Sequence, residues 1–247
     1  MAERLSGKRC LVTGGSRGLG RALCEALASE GARVAFTYSE DDQDAEEARS
    51  AIAALGSEPR VFKGSVADSS HVQSVIKALV SDWQGIDVLV NNAGITQVLP
   101  IALLDEADWD LVMDVNVKGA YLMSRAALRY MIKQKRGHIL NIGNFASERV
   151  IEAPVHYAAS KAALRGFTEA LAREVGRYNV QVNLLAPGLL ETGMGQALPL
   201  HRKKEYLEQC ALGRFGTARE LAELCVFLLS DENQLMHGAK LVVDGAL

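Results

Sequence analysis

Tyr157 and Lys161 stand four residues apart in the run Val155-His156-Tyr157-Ala158-Ala159-Ser160-Lys161. On a helix, positions i and i+4 share a face with Cβ atoms about 6 Å apart, which sets the ammonium beside the phenol. A free phenol titrates near pH ~10 and is a poor proton donor or acceptor at neutrality. A fixed cation nearby favours the phenolate and lowers that pKa, at about 1.4 kcal/mol per unit. A phenol tuned in this way can give a proton to a carbonyl as hydride arrives, or take one from an alcohol. The spacing recurs by chance in many helices, so the pair gains meaning only from its surroundings.

A glycine-rich stretch near the start supplies part of them. Arg9-Cys10-Leu11-Val12-Thr13 is short and mostly apolar, as a buried strand is. Gly14-Gly15-Ser16-Arg17-Gly18-Leu19-Gly20 follows at once, and then Arg21–Ala28, a strong helix former. Strand, glycine turn and helix together form the setting that holds a dinucleotide pyrophosphate. Glycines let the backbone turn tightly and approach the anion, which rests on the free N–H groups of the helix N-terminus. The spacing is Gly14-x3-Gly18-x-Gly20 rather than G-x-G-x-x-G, and alone it fits an ordinary turn equally well.

Two further motifs follow apolar strand-like runs: Asn91-Asn92-Ala93-Gly94 after Val88-Leu89-Val90, and Pro187-Gly188 after Val182–Ala186. With the glycine turn, Asn116 and Tyr157-x3-Lys161, these resemble the short-chain dehydrogenase/reductase family in order and spacing, from about residue 5 to the C-terminus. Leu212-Gly213-Arg214-Phe215-Gly216 and the ending Leu241-Val242-Val243-Asp244-Gly245 bring the chain nearest to the 3-oxoacyl-[acyl-carrier-protein] reductases. The resemblance implies a catalytic set of Asn116, Asn144, Tyr157 and Lys161. It also implies that a nicotinamide cofactor meets Gly14, Ser16, Arg17, Gly18, Leu19, Gly20, Tyr38, Ser65, Val66, Asn92, Ala93, Gly94, Tyr157, Lys161, Pro187, Gly188, Leu190 and Thr192.

Cofactor choice rests on the end of the second strand, where a carboxylate would hold the adenine ribose hydroxyls and repel a 2′-phosphate. Tyr38 stands there between Thr37 and Ser39, none of them acidic, and Arg17 in the glycine turn can pair with a phosphate. NADPH (NADP+) is therefore favoured over NADH, although Glu40, Asp41 and Asp42 follow directly and oppose a 2′-phosphate. Family members often carry Asp-Val after the third strand, where this chain has Ser65-Val66.

The catalytic set departs from the family at one place. The serine that orients the substrate carbonyl, thirteen residues before the tyrosine, is replaced by Asn144. An amide can partly stand in, donating from its NH2 to a carbonyl and accepting from the tyrosine through its oxygen. Ser147 could swing in instead, or activity could be weak or lost. His156 is read as a surface or pocket-wall residue rather than a catalyst.

The elements that must position these groups alternate along the chain. Strands are expected at Lys8–Val12, Arg33–Thr37, Pro59–Lys63, Asp87–Asn91, Gly137–Asn141, Gln181–Ala186 and Lys240–Val243, and helices at Ala45–Leu55, Ser70–Trp83, Trp109–Lys135, Tyr157–Arg177 and Ala218–Leu229. The pattern predicts an α/β fold: one Rossmann-type doubly wound domain over residues 1–247, a parallel seven-stranded sheet with helices on both faces. Ligand should bind beyond the carboxyl ends of the strands. The stretch 189–209 breaks the alternation and reads as a substrate flap or a plain surface insertion.

A net charge of −3 offers no basic field for nucleic acid or an anionic membrane, and 49 % hydrophobic with 23 % charged residues is ordinary for a globular protein. Without a leader or a long apolar run, a cytoplasmic protein is expected. Cys10, Cys24, Cys210 and Cys225 read as buried thiols, and the five histidines share no ligand spacing, so no metal site is expected. The expected substrate is a small-molecule or carrier-protein-bound ketone, most readily a 3-oxoacyl thioester; another ketone, or a non-catalytic nucleotide-binding partner, stays open. Arg125, Arg129, Lys133, Lys135 and Arg136 are candidates for a carrier-protein patch near the mouth of the site, or a solvated helix face. The family implies a homotetramer, with the two long helices forming a dimer interface and the C-terminal strand helping to complete the tetramer; packing within one core stays open for the helices.

Overall fold

In the computed structural model, residues 3–149, 151–195 and 198–247 are described. Seven strands form one sheet: β1 (Arg9–Thr13), β2 (Arg33–Tyr38), β3 (Arg60–Lys63), β4 (Val88–Asn91), β5 (Gly137–Ile142), β6 (Val180–Pro187) and β7 (Lys240–Val243). Their order is β3-β2-β1-β4-β5-β6-β7, and every pairing is parallel. The chain reverses direction across the sheet between β1 and β4, which opens a crevice at their carboxyl ends. Helices α1 (Gly18–Ser29), α2 (Asp42–Ala53), α3 (Ser69–Trp83), α4 (Glu106–Met113), α5 (Gly119–Gln134), α6 (Val155–Val175), α7 (Leu200–Gln209) and α8 (Ala218–Leu229) connect the strands.

The strand residues explain why helices cover both faces. Val12, Val34, Phe36, Val88, Val90 and Leu140 point to one side, where they meet Leu23 and Leu27 of α1, Ala48 of α2 and Val226 of α8. Their neighbours Leu11, Ala35, Leu89, Ile139 and Val182 point to the other, against Leu79 of α3, Met123 and Met131 of α5 and Val175 of α6. Adjacent residues in a strand alternate sides, so a run apolar throughout must be buried on both.

The acidic cluster after β2 is a helix start. Asp41 caps α2 by accepting from the N–H groups of Gln43 and Asp44, both at 3.0 Å. All four cysteines are buried and free. The helix expected over Trp109–Lys135 is broken, however: α4 and α5 are joined by a π-helical turn at Asp114–Lys118. The stretch 189–209 contains a helix, α7, that its glycines and proline did not announce. Gln196 and Ala197 of that stretch lie outside the described residues. Among the described residues, no helix is long and apolar enough to cross a membrane.

Candidate active site

Thr13, the last residue of β1, joins the glycine turn to the loop after β4. Its hydroxyl accepts from the N–H groups of Asn92 and Ala93, both at 3.0 Å. The Asn92 amide donates in return to Thr13 O at 3.0 Å and Gly14 O at 2.9 Å. Two glycines make this closeness possible. Gly14 has φ +66°, and a Cβ on it would lie 3.0 Å from Ala93 Cα. A Cβ on Gly20 would collide with Gly14 O and lie 2.6 Å from Asn92 Nδ2, so no larger residue lets α1 begin against the turn. The first turn of α1 carries no acidic residue and no side-chain cap, which leaves its N–H groups open to an anion. The segment after β6 closes over this turn: Leu190 bridges Gly216, and Gly193 Cα would lie 3.8 Å from a Cβ on Gly18. Thr192 is thereby carried to the edge of the glycine turn.

The acid–base group assembles around Gly94. A Cβ there would be 3.3 Å from both Asn116 Oδ1 and Lys161 Nζ, so three motifs far apart in the chain meet at one point. Asn116 sits in the π-helical turn, a local widening often found at functional sites. Its oxygen accepts from Ile95 N–H at 2.8 Å, and its NH2 donates to Ile95 O at 3.0 Å and to Ser160 Oγ at 2.9 Å. Ser160 donates to Tyr157 O at 2.7 Å, so Asn116 fixes both the β4 loop and the start of α6. Beneath them runs a buried ladder: Asn91 donates to Ser124 at 2.9 Å and to Asn141 at 2.8 Å, and Asn141 donates to Thr168 at 2.8 Å.

Lys161 donates to Ile142 O at 2.8 Å, and its ammonium lies 5.7 Å from the centre of the Tyr157 ring. Both side chains are buried, and this reverses one expectation. Burial pushes the Tyr157 hydroxyl above its ordinary range instead of the cation pulling it down, so the phenol keeps its proton. Burial also lowers Lys161 to about 8, since a charged ammonium is disfavoured away from water.

Asn144 follows β5 at the same edge, half-buried. Its oxygen accepts from Ala146 N–H at 2.9 Å, capping the short turn Phe145–Ser147. That bond uses one of the two lone pairs of the amide oxygen, and the NH2 stays available to donate. Ser147 does not replace it: its hydroxyl lies 2.8 Å from Asn144 O and 3.1 Å from Glu148 Oε1. His156 is no surface residue. It is fully buried, and neither ring nitrogen has a hydrogen-bond partner.

Tyr38 ends β2, and its hydroxyl donates to Asp42 at 2.8 Å. Ser65 accepts from Ala67 N–H at 3.2 Å, while Val66 is buried against Gly119 of α5. Pro187 ends β6, and Gly188 is held by Val243 O, which accepts its N–H at 2.8 Å. Tyr206 of α7 packs edge-on to Phe145 at 5.6 Å, and its hydroxyl accepts from Leu189 N–H at 3.2 Å. Three members of the basic run at α5 are misplaced relative to the expectation. In a parallel sheet each helix runs back from the carboxyl edge, so Lys133, Lys135 and Arg136 lie at the far edge, beside the start of β5. Sequence reasoning missed Ser160 and Lys63 in this region, and the buried bonds of Asn141. A polar residue on an apolar helix face or strand was the signal for Ser160 and for the bonds of Asn141. Lys63 gave none, because its neighbours come from other elements.

The chain matches the family model described as enoyl-(acyl carrier protein) reductase over residues 14–247. It is 38 % identical to the 3-oxoacyl-[acyl-carrier-protein] reductase of Thermotoga maritima over 247 residues, 99 % of each chain. Identity to the protein of the same name from Vibrio cholerae is 37 % over 98 % of each. A short-chain dehydrogenase/reductase from Serratia marcescens superposes with a TM-score of 0.92 at 35 % identity, over 98 % of both chains. A short chain dehydrogenase from Burkholderia cenocepacia, in complex with NADP, superposes with 0.92 at 36 %, again over 98 % of both.

Proposed function

Since this chain belongs to the short-chain dehydrogenase/reductase family, we propose that it is an NADPH-dependent reductase of 3-oxoacyl thioesters carried on coenzyme A or acyl carrier protein. The observation that carries this reading is the meeting of Gly94, Asn116, Lys161 and Tyr157 beside a glycine turn shaped for a pyrophosphate. The names of the relatives favour the 3-oxoacyl substrate.

The residues present fit a nicotinamide dinucleotide. Gly14 and Gly20 keep the turn open to a close backbone approach, and the first N–H groups of α1 face it uncapped. When bound, the cofactor supplies hydride to the keto carbon. Tyr157, protonated because it is buried, holds the proton that the carbonyl oxygen takes up as the ketone becomes an alcohol. The Asn144 NH2 polarises that oxygen by hydrogen bonding. Lys161 keeps a positive charge beside the phenol as the proton leaves, and Asn116 holds α6 and the β4 loop in register. The stretch 189–209 serves as the substrate flap, with Tyr206 anchoring its helix.

NADPH oxidation with acetoacetyl-CoA, with crotonyl-CoA and with a panel of unrelated ketones tests the reading. Turnover of acetoacetyl-CoA at ordinary enzyme rates is expected. Turnover of crotonyl-CoA alone would assign reduction of a carbon–carbon double bond instead, and turnover of an unrelated ketone alone would change the substrate. Cofactor binding with no turnover at all would leave a non-catalytic partner. Asn144→Ser should keep or raise kcat; a collapse of kcat would show that the amide has a role a hydroxyl cannot fill.

A further inference from the structure

Three cations around the end of β2 lie beside carboxylates of one helix, Arg21 also pairing with Glu25 of its own helix at 2.9 Å. Lys63 ends β3 and pairs in register with Tyr38, on strands about 4.8 Å apart. Its ammonium lies 2.7 Å from Asp42 and 5.9 Å from the centre of the Tyr38 ring, while the Tyr38 hydroxyl donates to the same carboxylate at 2.8 Å. Arg17 of the glycine turn lies 3.7 Å from Asp44, and Arg21 of α1 lies 3.6 Å from Glu47. Asp42, Asp44 and Glu47 all belong to α2. The glycine turn is tied to this place as well, since Gly15 N–H donates to Thr37 O at 3.0 Å.

Exposed pairs of this kind are weak, and Lys63 and Asp42 are 50 % and 67 % exposed. A phosphate monoester carries about two negative charges and three strong acceptor oxygens, so it competes well with a single carboxylate for the same cation. The end of β2 is where the adenine ribose of a dinucleotide is read.

We propose that Lys63 is a ligand of the cofactor's 2′-phosphate, kept in place by Asp42 until the phosphate takes its charge, and that Asp42 thereby limits how strongly the protein prefers NADPH over NADH. The assignment rests on the NADPH reading above and goes beyond it by naming the cation that reads the phosphate and the carboxylate that competes with it. The two carboxylates nearest the exchange act in one sense: Asp42 holds Lys63 and Asp44 holds Arg17, and each pairing must loosen for the phosphate to enter.

Direct titration of the purified protein, followed by nucleotide fluorescence or calorimetry, tests this without turnover. The probes are NADPH, NADH, and adenosine 2′,5′-bisphosphate against ADP. Lys63→Met keeps the stem and removes the charge; it should raise Kd for NADPH and the bisphosphate about tenfold and leave NADH and ADP nearly unchanged. Asp42→Asn should do the reverse, lowering Kd for NADPH about threefold with NADH unmoved. A variant damaged in folding would weaken all four probes, and the opposite sign expected at Asp42 cannot arise from damage. If the wild type prefers NADPH but Lys63→Met shifts both nucleotides equally or neither, the assignment of Lys63 is wrong and the NADPH reading stands. If the wild type binds NADH as tightly as NADPH, both fall together.

Discussion

Tyr157 and Lys161 share a buried face of α6, and removal from water acts on them in opposite directions, holding a proton on the phenol and loosening one on the ammonium. A protonated phenol suits donation to a carbonyl, which is the step that reduction requires. The price of that burial appears on the alkaline side. Lys161, lowered to about 8, is charged below that pH and neutral above it, so the charge beside the phenol is lost as pH rises through the value. The pH profile of kcat/KM, which reports the free enzyme, should therefore fall above pH 8, about two units before an exposed lysine would titrate. A profile flat to pH ~10 would mean that the charge is not needed, or that it survives burial.

Among the elements, the glycine turn and α1 act as one piece, because the Asn92 amide pins Thr13 and Gly14 to the loop after β4. Gly20 lets α1 start directly beneath them. Gly20→Ala would drive a methyl into Gly14 O, costing about 1–3 kcal/mol as an overpacked site and spreading the turn proposed to hold the pyrophosphate. Thermal melts should show the lower stability, and nucleotide titration should show a loss of affinity for NADPH and NADH alike. An alanine that binds both normally would mean that the turn does not touch the cofactor. Gly166 is the counter-example: it lies in the middle of α6, and a Cβ there would meet nothing within 4 Å in the single chain. In a free helix face Gly166→Ala gains about 0.5–1 kcal/mol. If α6 packs on a second copy, as the proposed homotetramer requires, the same change should weaken assembly, which light scattering on a dilution series would detect.

For the molecule as a whole, the parallel sheet separates function from stability. The candidate site occupies the carboxyl edge. The amino edge holds Arg9, which donates to Asp87 at 2.6 Å and to Trp83 O at 3.1 Å, and a cavity of about 430 Å3 lined by Lys8, Asp87, Arg136, His138 and Asp231. His138 stands there with Nδ1 buried and unpartnered; burial, and then the charge of Lys8, lowers it to about 4. The unfolded chain takes up a proton from pH ~6.5 downward and the folded chain does so only near 4, so stability is full above pH ~6.5 and lost as pH falls toward 4. The loss should approach about 3 kcal/mol by pH 4 and disappear in His138→Gln, with cofactor affinity unchanged at pH 7. Equal acid sensitivity of the variant and the wild type in denaturant melts would assign the effect to other groups.

Features that depend on local spacing were legible before any fold was known. Tyr157 and Lys161 had to share a helix face, Gly14, Gly18 and Gly20 had to mark a turn between strand and helix, and runs apolar at every position had to form a sheet buried on both sides. The parallel order of seven strands then brought Asn91–Gly94, Asn144 and Pro187–Gly188 to one edge. Features that depend on contacts between distant segments emerged with the fold. Whether the cation or the burial governs the phenol is a matter of water excluded by packed elements, which no spacing records. The oxygen of Asn144 accepts from Ala146 N–H, the imidazole of His156 is enclosed, and Lys133, Lys135 and Arg136 lie at the far edge. Lys63 meets Asp42 and Tyr38 through the register of β2 with β3, twenty-one and twenty-five residues away along the chain. A side chain's face is set by its own helix or strand, but its charge, its partners and its solvent are set by whatever the fold places against it.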